Sequence, residues 1–402
     1  MEFKELQRKN LKEDVEMLQG TPAYLFNSDR FIKNYTDLQN EFRKIYPNTR
    51  IAYSYKTNFV TEIGKLVNIL GGYAEVVSPI ESEIAKKAVC CVNQRIIYNG
   101  LIPDRCVVSI LEHGGKVNVE SQECLNYVLN NVKCQVGIGL RIGEPESRFG
   151  FHESELFDVL AQIIASGKKV SGIHCHVGGS RSLKTWKKKA ERMVRIAKDI
   201  EKIVDYPLEY IDLGGHLYGR MDKQLKKQFD NVPSFEDYAE TVATVIRDAY
   251  KDKISMPQLI LEPGTALVAD AVSILATVQN VKYRKGKSVA TLDVSSQDCG
   301  MVADYKDLTI ENISGDNLHD DYGSMVVCGY TCMEEDYINR CYPGTLRTGD
   351  HVLVRNCGAY SISMKGNFIY PPLGMYMVND NYEITRLMKM PGEVGDVICK
   401  ML

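Results

Sequence analysis

A chain of 402 residues is too long for one ordinary domain and fits two domains, or one large barrel with an appendage. Hydrophobic residues make up 44% of it, ample for a core, and a net charge of -3 gives no electrostatic case for nucleic acid or an anionic membrane surface, so a small-molecule partner is expected. The 12 cysteines are scattered without framework spacing and read as reduced, mostly buried thiols.

The opening segment Met1–Leu18 is charged throughout and lacks the apolar core of a signal peptide. No later run reaches membrane-spanning length, so a cytoplasmic location is expected. From Thr21 to Leu267 short β-rich runs recur: TPAYLF, RIAYSYK, YAEVVS, RIIYNG, VNVES, VGIGLRI, VSGIHCHV, YIDLGG and PQLILEPG. Amphipathic segments predicted as helices lie between several of them, at Asp29–Arg43, Ser154–Ser166, Ser182–Val204 and Ser234–Tyr250. Strand followed by helix, repeated about eight times, predicts an α/β fold with a closed parallel (β/α)8 TIM barrel. After about Ala269 the runs ILATVQNVKYR, SVATLDVS, SMVVCGYT, HVLVRNCGAY and GMYMVND are separated by turns instead of helices, which predicts a C-terminal antiparallel β domain. TPAYLF, with no helical unit before it, is expected to pair with that domain. The expected boundaries are 27–268 for the barrel, and 1–26 with 269–402 for a β-sandwich or barrel-like domain.

Barrel chemistry collects at the carboxyl ends of strands, and four such ends carry unusual residues. Lys56, in IAYSYKTNFV, is either a solvated strand-end lysine or an amine placed to act as a nucleophile. In HCHVGGS, His174–Ser180, the two histidines share a strand face. Satisfied core positions and a zinc pair are the alternatives to a site role for His176, and zinc is disfavoured by the lack of a convincing partner set. The glycine pair of DLGGHLYG, Asp212–Gly219, can present N–H groups to an anion or make a plain strand-to-helix turn. Glu262, closing the apolar run of LILEPG, needs a partner, either a protonated pyridine nitrogen or a local salt bridge.

Lysine, histidine, glycine pair and glutamate in this order resemble the fold type III pyridoxal-phosphate enzymes, the diaminopimelate and ornithine decarboxylase group, with alanine racemase more distant. SRFGF at Ser147–Phe151, CGYTCMEED at Cys328–Asp336 and CGAYSISM at Cys357–Met364 extend the resemblance over nearly the whole chain. The resemblance implies a decarboxylase that uses pyridoxal 5'-phosphate and works as a homodimer with shared sites. It makes Lys56 the Schiff-base lysine, His176 the ring stacked on the cofactor and Glu262 the partner of the pyridine nitrogen. Gly179, Ser180, Gly214, Gly215, Gly264 and Tyr360 would hold the cofactor, chiefly its phosphate. Cys332 would reach the neighbouring subunit's site and protonate the carbanion left when carbon dioxide departs. No metal is implied.

Several positions depart from the pattern. Thr265 stands where the family usually has an arginine after EPG, DVSSQDCGM at Asp293–Met301 replaces a strand ending DGG or DGV, and an RPALY-like segment is not evident. Met333 follows the cysteine where an acidic residue is usual, with Glu334, Glu335 and Asp336 nearby as substitutes, and His216 occupies the third position of the glycine loop. Thr265, Met333, Glu334 and Asp336 are therefore the expected substrate-reading positions, and diaminopimelate and ornithine are disfavoured against an amino acid with a neutral or modified side chain. A racemase or epimerase on the same fold and a non-catalytic regulatory homologue are the alternatives. The first lacks its usual tyrosine base, and the second tends to lose the lysine or the cysteine, both present here.

Overall fold

Eight short strands close into a parallel barrel in the computed structural model, which describes residues 7, 9–13, 18, 20–253, 255–284, 286–314, 324–366 and 368–399. Much of the charged opening segment Met1–Leu18 lies outside the described residues. The barrel strands are β2 (Thr49–Ser54), β3 (Tyr73–Val76), β4 (Ile96–Tyr98), β5 (Lys116–Val119), β6 (Gly137–Arg141), β7 (Lys169–His174), β8 (Tyr210–Asp212) and β9 (Gln258–Leu261). They correspond one for one to the eight runs from RIAYSYK to PQLILEPG. Strands in such a barrel are covered on both faces, by the interior and by the surrounding helices, which is why β4 and β8 are buried at every residue. Ala52, Ile97, Tyr210 and Ile260 fill the interior, and Gly172 makes room for the Tyr210 ring, because a Cβ there would lie 2.6 Å from it.

The predicted helices form at Ser28–Ile45, Leu156–Ala165, Leu183–Val204 and Phe235–Tyr250. Their starts follow from capping chemistry. Ser182 Oγ accepts from the Thr185 N–H, and Ser234 with Asp237 makes a reciprocal capping box. No helix among the described residues is long and apolar enough to cross a membrane.

The chain divides into two compact units. One comprises Tyr35–Tyr218 and Asn231–Ala266, the barrel; the other comprises Met1–Asn34, Gly219–Asp230 and Leu267–Leu402. The second unit is a nine-stranded sheet formed by β1 (Ala23–Asn27) with β10 (Val272–Arg284), β11 (Lys287–Leu292), β12 (Ile310–Asn312), β13 (Met325–Cys328), β14 (Tyr337–Tyr342), β15 (His351–Val354), β16 (Gly374–Val378) and β17 (Ile384–Lys389). Strand β1, from TPAYLF, does pair here, antiparallel to β10 and parallel to β16. The expectation of a purely antiparallel domain needs correction, since β11 and β13 are also parallel. A parallel pair needs a long crossover, and the segment between β11 and β13 supplies it with two helical turns and β12. Strands β12, β14 and β17 had no counterpart among the predicted runs. No disulfide occurs among the described residues, and Cys91, Cys106, Cys124, Cys175, Cys299 and Cys357 are buried thiols.

Candidate active site

Strand β2 ends in a single 3-10 turn, Tyr55–Thr57, that carries Lys56 to the mouth of the barrel. Its ammonium lies 2.6 Å from Glu75 and 3.1 Å from Ser54 Oγ. Glu75, at the end of β3, is fully buried, and Ser54 Oγ also donates to it. The buried carboxylate and the amine form a close ion pair at this end of the barrel.

Asn99 ties this unit to Glu262, donating to Glu75 Oε1 at 3.1 Å and to Glu262 Oε1 at 2.5 Å. Its own carbonyl accepts from Asn118 at 2.8 Å, and Asn118 accepts from the Tyr210 hydroxyl at 2.7 Å. Several strands thus contribute to one buried network, in which each amide can satisfy donor and acceptor groups at once. The second Glu262 oxygen faces His174 Nε2 at 3.3 Å. Burial pushes the Glu262 carboxyl up, but the charges of His174 and Lys56 and the His174 hydrogen bond outweigh it and hold the group ionised. Neighbouring Asp212 is driven the other way, upwards, by burial and then by Glu262. The two close carboxyls are thus pushed in opposite directions, Glu262 towards the ionised form and Asp212 away from it.

His174, Asp212 and Glu262 also offer three ligand atoms within 4.8 Å of one another. Both Glu262 oxygens, however, are already engaged by Asn99 and His174.

His176 follows β7 and lines the same cavity. Its Nδ1 accepts from the Gly215 N–H at 3.2 Å, which places the ring proton on Nε2, and burial takes the imidazole down to about 3, so the ring is neutral. Gly215 must be glycine, since a Cβ would come within 2.2 Å of the Glu262 carbonyl oxygen.

These groups surround a cavity of about 740 Å³ that extends past Val77, Pro79, Tyr98, Leu101, Ile102 and Phe149. Arg141 and Arg148 hold the Phe149 ring at 4.6 and 4.0 Å, and burial lowers the basicity of Arg141.

The Val77–Pro79 rim is shaped by Glu81, whose carboxylate accepts from the Val77 N–H at 2.8 Å. Burial raises its carboxyl to about 7. A folded-state value above the unfolded one, about 4.3, means that Glu81 contributes stability at low pH which is lost as pH rises through 7. Thermal melts between pH 5 and 8 should therefore show a falling midpoint that Glu81→Gln flattens; an unchanged slope contradicts this role.

The barrel brings Lys56, His176, Gly214, Gly215 and Glu262 into one neighbourhood, with Gly264 packed on Thr57 and Thr265 opening the next helical turn. Gly179 and Ser180 sit exposed on the turn after His176. Cys332, Met333, Glu334, Asp336 and Tyr360 belong to the other unit. Cys332 is exposed beside a groove of about 650 Å³ that also presents Met333, Glu334, Lys282, Arg284 and Lys287. Asp336 is buried, accepting from the Ser296 N–H at 2.7 Å and from the Thr331 N–H and hydroxyl at 3.0 and 2.7 Å. It shapes the cysteine loop from within. Tyr360 adopts φ +58°.

Sequence reasoning missed Glu75, Asn99, Asn118 and Arg141. Each is a polar residue in or just after an apolar strand, the same signal that singled out Lys56 and Glu262.

Residues 32–269 match the family model of the pyridoxal-dependent decarboxylase pyridoxal-binding domain. The chain is 26% identical to a diaminopimelate decarboxylase of Methanocaldococcus jannaschii, over 87% of this chain and 84% of the relative. It is 25% identical to one of Aquifex aeolicus, over 92% and 89%. Among solved structures, a diaminopimelate decarboxylase from M. jannaschii superposes with a TM-score of 0.84 at 24% identity, covering 96% of this chain and 94% of the other.

Proposed function

The chain belongs to the pyridoxal-dependent decarboxylases and is an enzyme of pyridoxal phosphate-dependent amino-acid decarboxylation, and from that premise we propose that the Lys56–Glu262 end of the barrel holds the cofactor and performs the chemistry. The residues present fit the group. An amine suits its aldehyde, an ionised buried carboxylate suits its ring nitrogen, a neutral imidazole suits its face, and glycine turns with no room for a Cβ at Gly215 suit close backbone approach. When bound, pyridoxal phosphate supplies an electron sink for the pair released as the carboxylate leaves.

The protein's residues do the rest. Glu75 and Ser54 position the Lys56 amine. Glu262, fixed by Asn99, would pair with the pyridine nitrogen of the bound group, while His176 orders the face of the site through its bond to Gly215. Gly179, Ser180, Gly214, Gly215, Gly264 and Tyr360 are the proposed remaining cofactor contacts. Cys332 is proposed as the acid that delivers a proton to Cα, supplied by a second copy of the chain in a homodimer with shared sites. Its exposure leaves the thiol open for that contact. The single observation that carries the reading is the Asn99 bridge joining the amine's carboxylate partner to Glu262.

For the substrate, we propose an amino acid other than diaminopimelate or ornithine, with a neutral or modified side chain. Thr265 and Met333 bring no charge to read a distal carboxylate or amine, and Asp336 is occupied within its own loop. Val77, Pro79, Leu101, Ile102 and Phe149 give the cavity an apolar stretch of wall, beside Arg141, Arg148 and Asp104. Carbon dioxide release measured across a panel of α-amino acids tests this. The expected result is turnover of a neutral or modified amino acid well above diaminopimelate and ornithine, and preferred turnover of either of those two overturns the substrate assignment.

A further inference from the structure

Two turns at the barrel mouth, Gly178–Ser180 after β7 and Gly214–His216 after β8, carry basic side chains that the roles above leave unused. His216 adopts φ +74°, in the left-handed region that favours glycine. A histidine held there by its surroundings is strained backbone of the kind that marks functional sites. Its Nε2 is buried with no hydrogen-bond partner among the described residues, and its ring meets the Gly179 backbone and the edge of His176, with centroids 6.4 Å apart. Burial, then the charge of Arg181, takes the imidazole down to about 4.

Arg181 directly follows the first turn. Its guanidinium lies 5.0 Å from the Tyr218 ring and makes no ion pair among the described residues. A Cβ on Gly178 or Gly179 would meet nothing within 4 Å, so the space beside this turn is open. Lys189 adds a second positive group, buried, with its ammonium donating to the Leu213 carbonyl at 2.6 Å just before Gly214. Positive charge at glycine turns, beside a ring nitrogen that lacks a partner, suits a compact dianion.

We propose that Arg181 and His216 clamp the cofactor's phosphate, Arg181 with its positive charge from the β7 turn and His216 with its unpartnered Nε2 from the β8 turn. The inference rests on the cofactor reading above. It assigns to the His216 side chain a role that a third glycine in this loop could not perform.

The test titrates the full-length apo-protein with pyridoxal 5'-phosphate and with pyridoxal, each with and without inorganic phosphate as competitor. Binding is read from cofactor absorbance and from the fluorescence of Trp186, the sole tryptophan. Trp186 packs against Tyr238, whose hydroxyl donates to the Arg181 carbonyl at 2.5 Å. The variants are Arg181→Gln and His216→Gly, the second relieving backbone strain so that misfolding cannot explain its effect. Each is expected to weaken pyridoxal 5'-phosphate binding at least about tenfold, the effect of losing one charge-assisted hydrogen bond. Pyridoxal affinity should not change, and phosphate should compete only in the wild type. Unchanged pyridoxal 5'-phosphate affinity in both variants, or an equal loss for pyridoxal, overturns the clamp while leaving the cofactor reading intact. Failure of the wild type to bind either compound overturns both.

Discussion

Lys56→Ala is expected to reduce carbon dioxide release by roughly 10³-fold or more, within or beyond the range for loss of a positioned acid–base group. The cause is local. Lys56 is the amine that β2 delivers to the cavity, and Glu75, Ser54 and Asn99 are arranged around it. Removal also leaves the buried Glu75 carboxylate without its cation, so the variant should melt at a lower temperature than the wild type. Adding Glu75→Gln should recover that midpoint without restoring turnover. A loss of activity that the double variant reverses would show that Lys56 acts only by neutralising Glu75.

Glu262→Gln is expected to lower kcat by about 10²–10³-fold, the effect of losing one preorganised electrostatic contact, with little change in KM. Glutamine can keep the Asn99 contact, so the geometry of the site should survive while its fixed negative charge disappears. The neutral amide in this variant should also let the Asp212 carboxyl titrate lower, because Glu262 is second only to burial among the causes that raise it. An unchanged kcat would mean that Glu262 is a structural partner of His174 and no more.

The barrel was legible because its strands announce themselves as short β-rich runs with amphipathic helices between several of them, and each of the eight became a barrel strand. The sheet of the second unit was less legible. Its parallel pairings, β1 with β16 and β11 with β13, join segments far apart in the chain, and register between distant strands leaves no local trace. Strand β17, ITRLMK, mixes charged and apolar residues without clean alternation, and no predicted run covered it.

In the site, Lys56, His176 and Glu262 stood out as polar residues closing apolar runs. Glu75, Asn99 and Asn118 share that setting but gave no separate signal, since a polar residue at a strand end is ordinary until a partner is seen across the barrel. Their role exists only in the network, where Asn99 reaches two carboxylates, one of them 163 residues away along the chain. Asp336 shows the converse. Its proximity to Cys332 in sequence suggested contact with substrate, and the fold buries it under Thr331 and Ser296.

The most direct test of the account reduces the holoenzyme with borohydride and maps the pyridoxyl-modified peptide by mass spectrometry. The account predicts the modification on Lys56 alone, in the segment Ile51–Val60. Modification of another lysine, such as the buried Lys189, with Lys56 left unmodified, would contradict it.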